Sequence, residues 1–365
     1  MAHNVEERLE RHKRFWEQEE TDRPLVGFRI INSYFPAEWF QAGLPLLQDN
    51  LEIKPEMLDA QAFAAECEAM YEAHEALGQD FFWTAEPFTA VPWLEAMAGC
   101  KIYASPNSLW AAHWLEDWTQ VEHLCLEPEN PWLQKYQEFL RALTAVSCGR
   151  FPIGQPILRG PLDVFSALRG ASRYVLDFYD YPTEVQALIN RLAAMFIALV
   201  RSHITTVPPF HGGYAMGFYH LWAPGPCIWF QEDASALISP ELYHRYAREA
   251  DTRIVQTYPY TMVHLHPASF FILDELLTID PLKVIQINKD TGGPSIVEML
   301  PVFKKVLTKK RLLIWGALTG EDVEVILKEL PCRGLALFIL TESGDGAREI
   351  MKAVKKYFTT YTGRD

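Results

Sequence analysis

YTMVHLH (260–266), LKVIQIN (282–288), RLLIWG (311–316) and GLALFIL (334–340) follow one another in the last third of the chain. Each stretch is a near-continuous apolar run, which is typical of a parallel strand buried on both faces. The residues between these runs have helical periodicity, so the region predicts repeated strand–helix–strand units. We therefore expect a parallel sheet covered by helices.

Earlier stretches extend the same rhythm. Further strand candidates are LVGFR (25–29), DFFW (80–83), IGQPILR (153–159), GYAMG (213–217) and IWFQED (228–233). The number of strands is close to eight, so an α/β fold of the (β/α)8 TIM-barrel type fits better than an open sheet. No linker divides the chain, and we expect a single domain over residues 1–365. Residues 1–24 form an N-terminal extension in which an exposed helix is predicted over 4–20.

The composition limits the classes of function. The chain has 33 Lys plus Arg against 47 Asp plus Glu, a formal net charge of −14. This acidity argues against binding to nucleic acids or anionic membranes. No stretch reads as apolar enough to span a bilayer, and the N-terminus lacks the apolar core of a signal peptide. A cytoplasmic location is expected.

Polar side chains follow most of the predicted strands. They are Arg29, Glu86, Arg159, Asp233, His264, His266, Asn288, Asp290 and Glu342. In (β/α)8 barrels, the catalytic residues come from the carboxyl ends of several strands. The concentration of histidines and acids at one end therefore predicts an enzyme active site.

The pair His264 and His266 is the sharpest local feature. Residues two apart on a strand face the same way, so both imidazoles should face the barrel interior while Val263 and Leu265 face the helices. Two imidazoles and an acid from another strand would form a three-ligand metal site with an open position. The alternative is that either histidine is a hydrogen-bonded core residue.

Tryptophan is abundant, with 11 residues. Most of them are expected to pack in the core and loops. Trp222 and Trp315 lie near predicted strand ends and are candidates for a pocket that binds an apolar, aromatic or quaternary-ammonium ligand. Asn288, also at a strand end, is assigned to substrate binding with them.

Four segments, in the same order along the chain, resemble the uroporphyrinogen decarboxylase superfamily. They are FRIINSYFP (28–36), PWLEAMAGC (92–100), PILRGP (156–161) and EDASALISPELY (232–243). The superfamily also contains zinc-dependent methyltransferases that work with corrinoid proteins. The resemblance covers most of the chain and likewise implies a barrel.

The departures from the decarboxylase pattern concern the substrate. The haem-pathway decarboxylases hold substrate carboxylates with two arginines; Arg29 matches the first, but Ser33 stands at the second. Ser166 or Ala167 stands where the family has an active-site tyrosine. The resemblance therefore points away from tetrapyrrole decarboxylation and towards the methyltransferase branch.

That branch binds zinc through His-x-Cys on one strand and a cysteine after the last strand. Here His264-x-His266 matches the first pair, and Glu342 follows at the end of the last strand. The resemblance therefore implies His264, His266 and Glu342 as metal ligands. Imidazole and carboxylate ligands suit zinc or another divalent transition metal.

Ligand charge shapes the expected chemistry. Two neutral histidines and one glutamate leave the site of a divalent metal with a net charge of about +1, so the metal is a strong Lewis acid. We expect a methyltransferase that moves a methyl group between a small methylated substrate and a corrinoid protein, the partner supplying the corrinoid. Asp233 and Glu86 are predicted as proton donors or extra ligands. Arg29 is predicted to hold a substrate anion, with a structural ion pair as the alternative.

Two other classes stay open. One is a lyase of the decarboxylase type acting on a smaller carboxylic acid, for which Arg29 would matter more than the histidine pair. The other is a binding protein that has kept the barrel without its chemistry, since a fold alone does not secure an activity.

Overall fold

The computed structural model describes residues 5–30 and 40–362. The strands are β1 (Leu25–Ile30), β2 (Glu52–Ile53), β3 (Lys101–Ser105), β4 (Ser108–Ala112), β5 (Tyr214–Met216), β6 (Leu221–Ala223), β7 (Cys227–Gln231), β8 (Tyr260–Leu265), β9 (Val284–Lys289), β10 (Arg311–Gly316) and β11 (Leu335–Thr341). The helices are α1 (Val5–Glu17), α2 (Ala60–Glu75), α3 (Trp93–Met97), α4 (Pro131–Ser147), α5 (Pro161–Arg169), α6 (Ala171–Asp180), α7 (Pro182–Thr206), α8 (Pro240–Leu242), α9 (Arg248–Val255), α10 (Leu273–Leu276), α11 (Ile296–Leu307), α12 (Gly320–Glu329) and α13 (Gly344–Thr362).

Six parallel strands form the central sheet, in the order β1-β11-β10-β9-β8-β7. Alternate residues of each strand face two different cores. Val263 and Leu265 pack in the outer core with the helices, while Met262 lies in the inner core. The inner core also contains Phe15, Trp16, Phe81, Trp229 and Phe338. Burial on both faces explains why these strands are apolar throughout, as the sequence predicted.

The predicted closed barrel is not found as one continuous sheet among the described residues. Segments 80–83 and 153–159 form no ladder; single parallel bridges join Ala85 to Ile153 and Arg159 to Gln231. A hydrogen bond from the Asp80 amide to the Val26 carbonyl links the first segment to β1. These contacts lie on the open side of the sheet, between β1 and β7. Prolines 152 and 156 have no amide hydrogen to donate, which limits pairing along the second segment.

The stretch GYAMG was predicted as a further strand of the barrel, and the structure corrects this. β5 pairs antiparallel with β6 as a short hairpin, with residues 217–220 as its turn. A single parallel bridge joins Gly154 to Ala215 in this hairpin. The hairpin turn therefore becomes a structural element of the inner core, which contains Phe218 and Tyr219.

The N-terminal helix was predicted to be exposed, but one face of α1 is buried. Phe15 and Trp16 pack in the inner core, and His12 has no exposed surface. The Trp16 indole donates a hydrogen bond to the Trp222 carbonyl, at 2.8 Å. The helix therefore covers one end of the inner core rather than standing free of the domain.

One helix is long and apolar enough to be a candidate membrane span, although none was predicted from the sequence. α7 has 25 residues, but half of its most apolar window is buried inside the protein. A buried core helix of a globular fold passes the same test, so the feature is weak evidence for a membrane.

Candidate metal centre

Three side chains meet at the carboxyl ends of β7 and β8. Asp233, His264 and His266 each offer one ligand atom, and these atoms lie within 4.8 Å of one another. Asp233 Oδ1 is 3.6 Å from His264 Nε2 and 3.9 Å from His266 Nε2. Ligand atoms of a tetrahedral zinc site are about 3.3 Å apart, given bond lengths of about 2.0–2.1 Å. Small side-chain shifts would therefore bring all three into contact with one ion.

Strand register brings these residues together. β7 and β8 are parallel neighbours, with Gln231 opposite His264. β7 ends at Gln231 and β8 at Leu265, so Asp233 and His266 lie just beyond adjacent strand ends. The histidine rings are 4.5 Å apart between centroids. The predicted orientation of the pair is confirmed for Leu265, which packs in the outer core.

Asp290 fixes the ring of His266. Both carboxylate oxygens of Asp290 lie within hydrogen-bond distance of His266 Nδ1, at 2.8 and 2.9 Å. A carboxylate can only accept, so Nδ1 carries the proton and donates. The lone pair of the neutral ring is then on Nε2, the atom nearest Asp233. Metal-binding histidines in proteins have this arrangement.

A second chain of polar groups orients His264. The Gln286 amide nitrogen donates to Asn288 Oδ1 at 2.9 Å, which turns Gln286 Oε1 towards His264 Nδ1. The Tyr219 hydroxyl lies 2.8 Å from the same ring nitrogen. Donation from Nδ1 to Gln286 leaves the Nε2 lone pair for a ligand. Burial lowers the pKa of His264, which favours the neutral form that a metal requires.

The Asp233 carboxylate is held in the same way. Gln231 Nε2 donates to its Oδ2 at 2.8 Å, and Oδ1 is the oxygen near both histidines. The Asp233 side chain is 41% exposed, whereas that of His264 is 5% exposed. The centre is thus anchored in the sheet on one side and accessible on the other.

The third predicted ligand is not in this cluster. Glu342 is exposed and follows directly after β11. Asp233, predicted as a catalytic group, occupies the third position among the described residues. The candidate ligand set among the described residues is therefore Asp233, His264 and His266, and a ligand role for Glu342 stays a prediction without support from this geometry.

Arg29 and Glu86 form a separate cluster. Arg29 Nη2 is 3.9 Å from Glu86 Oε1, and Arg29 Nη1 donates to the Phe218 carbonyl at 3.2 Å. The Glu86 side chain is 10% exposed. Burial raises the pKa of Glu86 to about 8, and the Arg29 charge opposes this rise only in part. Glu86 therefore holds a proton at neutral pH, as a proton donor must, and the neutral carboxyl does not form an ion pair with Arg29. The anion-binding role predicted for Arg29 stays a prediction.

The predicted substrate-binding residues separate. Trp222 is buried between Phe82 and Phe210, and its indole donates to the Phe210 carbonyl at 2.9 Å. This packing is structural and does not support a pocket role. Trp315 lies against Phe218 in the inner core, with ring centroids 5.7 Å apart. Asn288 acts on the centre through Gln286, as described above.

The positions at which the family tyrosine is missing can also be located. Ser166 and Ala167 lie in α5 and line an open pocket beside Asp233. The other departure, Ser33, lies outside the described residues.

Sequence reasoning missed most of the groups that orient the centre. Gln231, Gln286 and Tyr219 were not singled out, and Asp290 was noted only as a strand-end acid. A polar residue inside an apolar strand was the available signal: Gln286 has no exposed surface in VIQINK. A buried amide requires hydrogen-bond partners, and here one partner is a candidate metal ligand.

No family model and no curated protein matches this chain. Among solved structures, it is similar to a methyltransferase from Methanosarcina mazei, with a TM-score of 0.64 and 14% identity over 95% of this chain and 98% of that one. A candidate vitamin-B12 independent methionine synthase from Listeria monocytogenes has a TM-score of 0.39 and 11% identity over 62% of this chain and 70% of that one, too low to support an argument. The chain therefore shares its fold with the Methanosarcina protein over nearly its full length.

Proposed function

We propose that this chain is a metal-dependent methyltransferase that moves a methyl group between a small methylated substrate and a corrinoid protein. The observation that carries the proposal is the cluster of Asp233, His264 and His266, whose three ligand atoms lie within 4.8 Å of one another. The other side-chain atoms, such as Asp233 Oδ2 and His266 Nδ1, have hydrogen-bond partners that fix the orientation of the ligands. The fold shared with a methyltransferase agrees with this reading, and the resemblance described from the sequence points to the same branch.

The donor set suits zinc or another divalent transition metal. When bound, such an ion would act as a Lewis acid on the substrate heteroatom. The residues of the chain prepare the site: Asp290 and Gln286 keep the histidine Nε2 atoms unprotonated, and Gln231 holds the carboxylate in place. Glu86 stores a proton that the departing heteroatom could take up.

The methyl group would leave as a CH3+ equivalent. The electron pair of the carbon–heteroatom bond stays on the heteroatom, and a Co(I) corrinoid on the partner protein supplies the electron pair of the new carbon–cobalt bond. The exposed side of Asp233 and the carboxyl ends of β7 and β8 form the surface at which we expect the corrinoid protein to dock.

We also infer that the sheet belongs to a (β/α)8 barrel whose ladder is interrupted. Segments 80–85 and 153–159 lie between β1 and β7 and contact them through single bridges and one amide hydrogen bond. This supports a ring of eight parallel segments, of which six form the continuous sheet.

Metal content tests the proposal directly. Full-length protein purified without chelator or His-tag should contain about one equivalent of a transition metal per chain, and His264→Ala/His266→Ala should contain less than about a tenth of that. The exposed His123 provides the control variant His123→Ala, which should keep the metal. The loaded protein is then mixed with cob(I)alamin and candidate methyl donors, and methylation is followed by the corrinoid absorbance.

Metal-free wild-type protein that cannot be reconstituted would rule out the metal centre. In that case the lyase hypothesis becomes the better one. Small carboxylic acids would then be tested as substrates of the wild type and of the Arg29→Ala variant. The hydrogen bond from Arg29 to the Phe218 carbonyl disfavours that hypothesis, because part of the guanidinium is already engaged within the protein.

A further inference from the structure

An open pocket of about 680 Å3 adjoins the metal centre. Asp233 forms part of its wall, so an occupant lies directly beside the candidate ligands. Trp110, which is 44% exposed, contributes an aromatic surface to the same wall. A space of this size with few, localised polar groups is typical of a site for a small organic molecule.

Arg159 is the only Lys or Arg among the described residues of the wall. Its Nη1 donates to Glu95 Oε1 at 2.8 Å; the Glu95 side chain is 1% exposed, whereas that of Arg159 is 39% exposed. A buried carboxylate thus fixes one edge of the guanidinium. No other hydrogen bond engages this guanidinium in the described part of the chain, so its remaining N–H groups are available to a ligand.

Asp163 adds a second polar group. It is 7% exposed, its Oδ1 accepts the Ala234 amide at 2.7 Å, and its Oδ2 has no partner among the described residues. The unpartnered Oδ2 of Asp163 is thus a second polar atom beside Arg159 in the wall of the pocket.

The free edge of the Arg159 guanidinium favours an anion, and a divalent ion at the candidate centre would offset the negative charge of Asp233. Planar guanidinium groups bind carboxylates through paired hydrogen bonds. We propose that this pocket is the substrate subsite, and that the methylated substrate carries a carboxylate or similar anion bound by Arg159. The inference rests on the proposed function only in placing the reacting end of the substrate at Asp233.

The test uses two matched probes, 3-methoxypropionate and its uncharged amide, 3-methoxypropionamide. Their dissociation constants are measured by ligand-observed NMR on the metal-loaded full chain. The wild type should bind the carboxylate at least about tenfold more tightly than the amide.

Because Arg159→Met leaves Glu95 buried without its partner, the main variant is Glu95→Gln/Arg159→Met, which removes both charges. In this variant the two probes should bind equally. Arg173→Met, at an exposed arginine on the nearby helix α6, is the matched control and should keep the preference.

A carboxylate could also bind the metal directly, so the probes are repeated with His264→Ala/His266→Ala. A preference that persists there and disappears in Glu95→Gln/Arg159→Met supports the subsite, even if the wild type proves metal-free. A preference lost in the histidine variant but kept in the Arg159 variant assigns the anion to the metal and overturns the proposal. Equal binding of both probes to the wild type, or competition by tetramethylammonium, would also overturn it.

Discussion

The two polar clusters of this protein are built in opposite ways. Around His264 and His266, the ring nitrogens that do not face Asp233 have fixed partners. In the other cluster, Arg29 and Glu86 stand 3.9 Å apart, and Glu86 Oε2 has no partner among the described residues. The first cluster lies on continuous strands, and the second joins β1 to a segment held by single bridges.

The difference separates two tasks. A group of ligands must be held in one geometry before an ion arrives, which requires rigid strands and outer hydrogen bonds. A proton store requires only that burial make the charged form of a carboxyl unfavourable. Glu86 meets this second condition with a pKa of about 8. The following substitutions test whether the two clusters divide the work in this way.

The largest effect is expected from Glu86→Gln on the pH dependence of stability. The pKa of Glu86 is about 8 in the folded chain against 4.5 unfolded, so the folded state binds more protons between these values. The free energy of unfolding therefore falls as pH rises, by about 1.4 kcal/mol per pH unit. From pH 5 to 8 the wild type should lose about 3–4 kcal/mol relative to Glu86→Gln, measured by urea denaturation. Parallel curves would contradict the raised pKa; the control is Glu129→Gln, at an exposed position.

Asp290→Ala should weaken metal binding by about 10- to 100-fold, because the ring of His266 loses its orienting acceptor. Competition with a chromophoric chelator gives the affinity. Asp290→Asn still offers a carbonyl oxygen to Nδ1–H and should restore part of the affinity, which a purely structural role would not predict. The exposed Asp280 before β9 supplies the control Asp280→Ala.

Two buried glutamines allow the same substitution to be compared with and without side-chain hydrogen-bond partners. Gln286 and Gln155 are both without exposed surface, but Gln286 has partners while both side-chain polar atoms of Gln155 lack one in the described structure. Gln286→Leu removes the donor to Asn288 Oδ1 and one of the two groups that contact His264 Nδ1, and should cost about 1–3 kcal/mol. Gln155→Leu should be neutral or slightly stabilising, since no bond is lost. Equal losses in denaturant unfolding would erase the distinction.

The sequence predicted the part of the fold that depends on local pattern. β8, β9, β10 and β11 were found because burial on both faces requires continuous apolar runs. Segments 80–83 and 153–159 were also predicted as strands, but Pro152 just before the second segment and Pro156 within it have no amide hydrogen to donate. Whether such segments form a ladder depends on neighbours far away in the chain, which a local pattern does not contain.

The sequence predicted only the part of the site that depends on the alternation of side chains along one strand. The His264 and His266 pair followed from the period of two along a strand. The choice of Asp233 over Glu342 as the third acid depends on where β7 and β11 end relative to β8, a matter of register across the sheet. The roles of Asp290 and Gln286 depend on contacts between strands and could not be read from either strand alone.

The turn of the β5–β6 hairpin touches both clusters with successive residues. The Phe218 carbonyl accepts from Arg29, and the Tyr219 hydroxyl contacts the ring of His264. The next residue, His220, is buried in the left-handed region with φ of 51°.

This turn sets a boundary for anyone who wishes to redesign the protein for another substrate. It begins at Gly217, where an added Cβ would lie 2.5 Å from the Gln155 carbonyl oxygen and 2.8 Å from Glu86 Oε2. Inserting or deleting one residue here would shift the partners of Arg29 and His264 together, so loop grafting in this hairpin cannot alter one cluster while sparing the other. Directed evolution has more freedom at Trp110 in the pocket wall, a residue that belongs to neither cluster.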